Sequence, residues 1–262
     1  MDGIDVLYHI GEIKNVSRAD ASMNVELVRA MLERAARTGL RRFVFISSIS
    51  VAGIPSNLPA TEETETALSL RDQYTESKRR CEQILRGESS GLEGVVIRPA
   101  PVYGPGSPHM VRLVRMIDKL GPIGIPFVGN ARNLMPLIHV MDLADAIVLA
   151  GTASAAAGQT FNLTDGADHS LLDFFKATGD ALGRTVRIIP VPPLLLRLGA
   201  APLGLLTSLV GYDLDPYRFV DYFSRDLRFS SRKAESLLGW KPRRSLTKGA
   251  QEMVKEVREY KE

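Results

Sequence analysis

Two side chains four positions apart, Tyr74 and Lys78, have the types and the spacing that proton transfer requires. Residues four apart on a helix lie on one face, one turn from each other. A free tyrosine titrates near pH ~10 and is a poor acid or base at neutral pH, but a neighbouring ammonium favours the phenolate and lowers the tyrosine pKa. The pair can therefore pass a proton to or from a substrate hydroxyl.

The segments around this pair predict a parallel sheet covered by helices. Apolar runs of strand length occupy residues 4–10, 43–47 and 94–98, and the second is continuous, as in a strand buried on both faces. Apolar residues at helical spacing fill the first interval up to Gly39, and the helix that carries Tyr74 fills the second. This alternation predicts an α/β fold, a partial doubly wound, Rossmann-like sheet.

The pattern changes near residue 100. Prolines and glycines at 99–108 predict a rigid turn, residues 159–163 look like a further strand, and residues 229–261 read as mostly helical with a break at 239–242. Residues 54–72 are polar and predict a surface loop. We therefore expect a core of residues 1–100 and a smaller lobe of residues 101–262 that returns segments to the core.

Composition excludes several classes of protein. The net charge is +3 and the basic clusters are short and scattered, which argues against nucleic-acid binding. The one cysteine, Cys81, rules out an internal disulfide, predicts a buried side chain and fits a cytoplasmic protein. The first residues do not resemble a signal or transit peptide, and no spacing typical of metal ligands occurs.

One stretch, residues 186–211, is unusually apolar. A membrane-spanning helix needs about 20 apolar residues, but four prolines interrupt this stretch and Arg197 lies near its middle. We expect a buried or groove-lining helix, or an apolar cap over a substrate, and no stable membrane span.

Several short motifs together carry a family resemblance. They are residues 5–9, 45–53, 74–78, 98–105, 139–142, 161–162, 233–234 and 238–242. Their order and spacing resemble the extended short-chain dehydrogenase/reductases of the NAD-dependent epimerase/dehydratase group. The resemblance implies that the core carries the catalytic residues and binds NAD or NADP, that the lobe binds a small-molecule substrate, and that the reaction is hydride transfer at a hydroxyl-bearing carbon. It leaves a homodimer open.

The resemblance also implies roles for individual residues. Tyr74 would be the general acid/base, Lys78 would assist it and bind the nicotinamide ribose, and Ser48 would hold the substrate oxygen, with Ser47 as the competing assignment. The residues expected to contact the cofactor are Ile10, Gly11, Lys14, Asn24, Ser47, Tyr74, Lys78, Pro99 and Ala100.

The chain departs from the family at its start. No glycine-rich turn of the Gly-x-x-Gly-x-x-Gly kind, which would bind the cofactor pyrophosphate, occurs in the sequence. About 60 residues, three β/α units, are expected to be missing, with one edge of the sheet left unpaired. The chain by itself is then expected to bind the cofactor weakly, and an inactive fragment is one alternative. A non-catalytic binding or scaffold protein that kept the fold is the other alternative.

The segments expected near the substrate indicate two different substrate classes. Met135 stands where nucleotide-sugar epimerases commonly place a diphosphate-binding arginine, and Arg132 is three residues away. Two segments resemble the 3β-hydroxysteroid dehydrogenase branch. They are residues 50–53, which close the motif at 45–53, and the apolar stretch at 186–211. A sugar nucleotide and an apolar alcohol both remain open, as do epimerase, dehydratase and dehydrogenase outcomes.

Overall fold

The computed structural model describes residues 3–11, 18–68, 72–87, 91–195, 220 and 222–259. Lys14 and the 196–211 part of the apolar stretch lie outside the described residues. No helix within the described ranges is long and apolar enough to cross a membrane.

Strands and helices alternate through the first hundred residues and less regularly after them. The strands are β1 Val6–His9, β2 Arg42–Ile46, β3 Ile54–Pro55, β4 Thr66–Leu68, β5 Glu93–Pro99, β6 Val102–Tyr103, β7 Ile125–Val128, β8 Ile138–His139, β9 Thr160–Leu163 and β10 Ile188–Val191. The helices are α1 Arg18–Thr38, α2 Gln73–Gly87, α3 Pro108–Leu120, α4 Val140–Thr152, α5 Leu171–Leu182, α6 Arg232–Leu238 and α7 Leu246–Glu259.

Four parallel strands form the main sheet, in the order β1-β2-β5-β9. The predicted α/β fold with a partial parallel sheet is confirmed. Because β9 pairs with β5, a segment from beyond residue 100 completes one side of the sheet. The division into a core and a lobe remains a prediction.

Alternation along β2 explains why this strand is apolar throughout. All five of its residues are buried. Phe43 and Phe45 join a cluster with side chains of α1 and α2, whereas Val44 and Ile46 join a cluster on the opposite face with side chains of α4 and α6. A strand covered on both faces has no polar side, as parallel sheets require.

A second body of helices packs beside the sheet. Side chains of α3, α5 and α7 share an apolar cluster with those of β7 and β10. Helix α5 begins with a capping box, in which Ser170 and Asp173 each bond the other's backbone N–H. The predicted break at residues 239–242 is confirmed, since it separates α6 from α7.

The segment 54–72 differs from the surface loop predicted for it. Strands β3 and β4 form a short antiparallel ribbon within it. Ala60 is fully buried, its N–H donates to the Arg228 carbonyl, and its own carbonyl accepts from Ser230 N–H, each at 2.8 Å. The polar sequence concealed this attachment because two backbone hydrogen bonds and one small apolar side chain, that of Ala60, make it.

Candidate active site

The predicted residues gather at one edge of the sheet. In a parallel sheet, all carboxyl ends of the strands meet at the same edge, where ligands of such folds commonly bind. Ile10 and Gly11 follow β1, Ser47 and Ser48 follow β2, and Pro99 and Ala100 end and follow β5. These three strands are neighbours, so topology alone brings the three pairs together.

Helix α2 places Tyr74 and Lys78 at the same edge. The Lys78 ammonium is buried and donates from Nζ to the Ile46 carbonyl at 2.9 Å, at the last residue of β2. The same nitrogen lies 5.7 Å from the centre of the Tyr74 ring and 5.1 Å from that of Phe45. One ammonium therefore joins the strand end to the tyrosine one turn earlier.

Three buried polar side chains on α2 face the end of β2. They are Thr75, Lys78 and Glu82, spaced three and four residues apart as on one helical face. Thr75 bonds Ser50 and Glu82 bonds Ser47, while Lys78 bonds the Ile46 carbonyl. We call these three residues the α2 polar stripe. Their hydrogen bonds fix the position of α2 along its axis, and its rotation about that axis, relative to residues 46–50.

Glu82 is the anchor of this stripe. Its side chain is 1% exposed and forms a bidentate ion pair with Arg98. The carboxylate accepts from Arg98 Nε at 2.9 Å and from Arg98 Nη2 at 2.6 Å. Ser47 Oγ donates to the same carboxylate at 2.5 Å, and Arg86 lies 2.9 Å from it. A buried carboxylate needs such compensation, since removing a charge from water is costly.

Ser47 and Ser48 therefore have different environments. The Ser47 side chain is buried and its hydroxyl is committed to Glu82, and its N–H donates to the Ile97 carbonyl at 2.7 Å. Ser48 is only partly buried and lies at the start of a 3₁₀ turn, Ile49–Ala52. Its Oγ accepts from Ser50 N at 3.2 Å and from Ser50 Oγ at 2.9 Å.

Asp72 starts the helix that carries the site. Its buried carboxylate accepts from Thr75 N at 3.0 Å, and its carbonyl accepts from Glu76 N at 2.9 Å. An aspartate in this position satisfies N–H groups that the first turn leaves unpaired. The cap fixes the first turn, and with it the backbone of Tyr74.

The remaining cofactor candidates differ in their exposure. Asn24 is buried on α1, and its carbonyl lies 3.9 Å from Sγ of Cys81, which is buried as predicted. Ile10 is 60% exposed, whereas Ala100 is buried and its N–H donates to the Leu163 carbonyl. Lys14 falls outside the described residues.

Sequence reasoning missed Ser50, Thr75, Glu82 and Arg98. A signal for two of them was present: Thr75 and Glu82 share the helical face of Lys78, and a polar stripe on a helix that must cover a sheet implies buried partners. Nothing local indicated the bond of Ser50 to Thr75 or that of Arg98 to Glu82, because these partners are 25 and 16 residues away.

Met135 lies in an apolar cluster that includes Ile49, the residue after Ser48. It is 4% exposed and packs with Ile49, Ala60, Leu227 and Phe229. These residues adjoin a cavity of about 930 Å³ that Met135, Leu227 and Phe229 help to line. Of its described lining residues, three are Arg or Lys and four are Asp or Glu, so the cavity carries no cationic excess.

This cavity is not lined by the catalytic candidates. Ser48, Tyr74 and Lys78 are absent from its described wall. Ile49, the neighbour of Ser48, belongs to the apolar cluster that adjoins the cavity. The charged and hydroxyl groups converge instead at the strand ends.

The His139 motif holds the C-terminal helix rather than the strand ends. Asp142 accepts from Arg244 Nη1 at 2.6 Å and from the Arg243 and Arg244 N–H groups, and its carbonyl accepts from Trp240. His139 is fully buried with Nε2 3.1 Å from Glu252 Oε2. Burial lowers the pKa of His139 despite that carboxylate.

Comparison with known proteins places this arrangement in a family. Residues 1–164, more than half of the chain, match the sequence model of the NAD dependent epimerase/dehydratase family. The chain belongs to this family. The resemblance inferred from the short motifs is confirmed.

Relatives within the NAD dependent epimerase/dehydratase family have different names. A UDP-glucose 4-epimerase of Vibrio cholerae is 30% identical over 84% of this chain and 64% of its own length. A 3beta-hydroxysteroid-dehydrogenase/decarboxylase of Arabidopsis thaliana is 25% identical over 96% of this chain and 48% of its own length. The chain thus spans less than two thirds of the length of these two relatives.

Solved structures of this family share the fold. A UDP-glucuronic acid 4-epimerase from Bacillus cereus, in complex with NAD, matches with a TM-score of 0.75 at 19% identity over 99% of this chain and 76% of its own. A UDP-glucose 4-epimerase from Bifidobacterium longum, with NAD+ and UDP, matches with a TM-score of 0.72 at 22% identity over 98% and 77%.

Proposed function

We propose that the full-length protein is an NAD(P)-dependent enzyme of the extended short-chain type that transfers hydride at a hydroxyl-bearing carbon. The observation that supports this most is the position of the Lys78 ammonium between the Ile46 carbonyl and the Tyr74 ring. A buried cation held beside a phenol favours the phenolate, the form that accepts a proton.

Each residue has a distinct task in this proposal. Tyr74 accepts the proton of the substrate hydroxyl as the carbon–oxygen single bond becomes a carbonyl, and returns it in the reverse reaction. Lys78 stabilises the charge on Tyr74, and Ser48 bonds the substrate oxygen. A nicotinamide bound beside these residues would supply the hydride acceptor for the same carbon.

The strand ends fit such a cofactor. Ile10 and Gly11 are exposed after β1, and a side chain added at Gly11 would meet nothing within 4 Å. Pro99 is partly buried at the end of β5 and Ala100 follows it. Together with Asn24, Tyr74 and Lys78 they are the proposed cofactor-binding residues among those described. Ser47 was also expected to contact the cofactor, but its hydroxyl is bonded to Glu82.

An apolar alcohol is the substrate class that the described residues favour. Met135 is buried against other apolar side chains, and Arg132 is exposed and absent from the cavity wall. Two of the three cations in the cavity wall, Arg228 and Lys233, are already paired with Asp168 and Glu63. A diphosphate would therefore gain few of the charge-assisted hydrogen bonds that contribute about 1.5–3 kcal/mol each. A sugar nucleotide remains the alternative, since relatives of both kinds exist.

The proposal is tested by assaying the full-length protein with NAD+ and NADP+. Tyr74→Phe should lower turnover by about 10²–10⁴, the usual contribution of a positioned acid/base, with cofactor affinity nearly unchanged. Lys78→Ala should reduce both turnover and cofactor affinity. Small and equal effects of both substitutions would contradict the proposal and favour a binding or scaffold role.

A further inference from the structure

Two hydroxyl groups, those of Thr75 and Ser50, form a chain of hydrogen bonds that ends at Ser48. We propose that Thr75 and Ser50 form a hydroxyl relay that makes Ser48 a hydrogen-bond donor to the substrate oxygen. Both are positioning residues, since they act through Ser48. The inference rests on the proposed function, in which Ser48 contacts the substrate.

The relay follows from the direction of three hydrogen bonds. Thr75 Oγ1 donates to Ser50 Oγ at 3.0 Å, and Ser50 Oγ donates to Ser48 Oγ at 2.9 Å. The Ser50 backbone N–H donates to the same Ser48 oxygen at 3.2 Å. All three bonds run toward Ser48.

The count of donors and acceptors then fixes the role of Ser48. A serine hydroxyl has one hydrogen to donate and two lone pairs with which to accept. Ser50 occupies both acceptor positions of Ser48, through its N–H and its hydroxyl. The remaining capacity of Ser48 is its own O–H, which must point away from Ser50.

Burial makes this direction hard to reverse. Thr75 is fully buried and Ser50 is 9% exposed, whereas Ser48 is only partly buried. A buried hydroxyl must donate to a protein partner, because leaving a polar group unpaired costs free energy. Thr75 satisfies this need through Ser50, and successive hydrogen bonds in such a chain strengthen one another.

A donor is what the proposed reaction needs at this position. When the substrate hydroxyl has given its proton to Tyr74, its oxygen becomes a carbonyl and can only accept hydrogen bonds. Ser48 with a free O–H donates a second hydrogen bond to that oxygen, beside the one from the protonated Tyr74, whereas Ser48 acting as an acceptor could not.

Neutron diffraction from perdeuterated crystals of this chain tests the relay without any assay. We expect the Thr75 deuterium on the line to Ser50, the Ser50 deuterium on the line to Ser48, and the Ser48 deuterium directed away from Ser50. A Ser48 deuterium that points at Ser50 would overturn the inference. This result is independent of whether the protein is an enzyme.

A double-mutant cycle in the full-length protein tests the functional half. With NAD+ and either UDP-glucose or a 3β-hydroxysterol, Thr75→Val should lower kcat/KM about five- to tenfold, the loss expected for one neutral hydrogen bond. In the Ser48→Ala background the same substitution should have no further effect. Additive losses would mean that Thr75 acts on the fold and not through Ser48.

Two further variants separate this role from folding. Thr75→Ser keeps the hydroxyl and should restore kcat/KM, and failure of this rescue would count against the relay. Thr178→Val removes another fully buried threonine hydroxyl, which donates to the Phe174 carbonyl of its own helix, and should leave kcat/KM unchanged. If Ser48→Ala and Tyr74→Phe are both without effect, or nothing turns over, the proposed function fails and the neutron map alone decides the relay.

Discussion

Lys78 donates a hydrogen bond from its ammonium to the carbonyl oxygen of Ile46 at 2.9 Å, so helix α2 is attached to the last residue of strand β2. The two residues are 32 positions apart. The bond places a positive charge at the carboxyl edge of the sheet, where the strand ends and Tyr74 also lie.

Loss of this bond should destabilise the fold. In Lys78→Met the Ile46 carbonyl loses its charged partner in a buried site, which should lower the free energy of unfolding by about 1–3 kcal/mol. Urea unfolding measures this. Arg80→Met is the matched control on the same helix, because Arg80 is 60% exposed, and it should change the free energy by less than about 0.5 kcal/mol. Equal losses would contradict a specific role for Lys78.

Glu82 should be more important for stability than any exposed acid of α2. Glu82→Gln leaves the buried Arg98 guanidinium without its anion, and breaking a buried pair typically costs about 3–5 kcal/mol. Glu76→Gln removes ion pairs to Arg79 and Arg80 from a side chain that is 42% exposed, and should cost about 0–1 kcal/mol. Chemical denaturation of the two variants makes the comparison, and a smaller loss for Glu82→Gln would refute it.

His139 should make the fold less stable in mild acid. Burial lowers its pKa below the ordinary 6.5, so under pH 6.5 the unfolded chain binds a proton that the folded chain does not. Its contribution is present above pH 6.5 and is lost as the pH falls toward the folded pKa. The free energy of unfolding of His139→Gln should therefore fall less steeply between pH 7.5 and 5.5 than that of the unsubstituted protein.

His169 provides the opposite control for that measurement. The hydrogen bond to Asp165 raises the pKa of His169, so its contribution is present below pH 6.5 and is lost as the pH rises through the folded value. His169→Gln should make the acid-side decline steeper. The same sign of change in both variants would show that other groups control the pH dependence.

Substrate competition should distinguish the two substrate classes. We expect a 3β-hydroxysterol to compete for the site of the full-length protein better than UDP-glucose, because burial of apolar surface contributes about 25 cal/mol per Å² without any ion pair. Arg132→Ala should leave binding unchanged, and Met135→Ala should weaken it. Tight binding of UDP-glucose that is lost in Arg132→Ala would reverse this assignment.

Local sequence patterns were sufficient to predict much of the molecule. The continuous apolar run at 43–47 predicted a strand buried on both faces, and β2 is such a strand, because its alternate side chains contact helices on opposite sides. The spacing of Tyr74 and Lys78 placed them one turn apart, because helical geometry depends only on positions along the chain. The same reasoning located α2 and the break between α6 and α7.

Only the tertiary structure decided how these elements meet. The preference for Ser48 over Ser47 came from motif position, but the physical support for it is that Ser47 is turned to Glu82 while Ser48 remains partly exposed. Ser50 and Thr75 are 25 residues apart, and no local pattern pairs them. Their contact depends on the rotation of a whole helix against a strand end, which is set by the packing of many side chains at once.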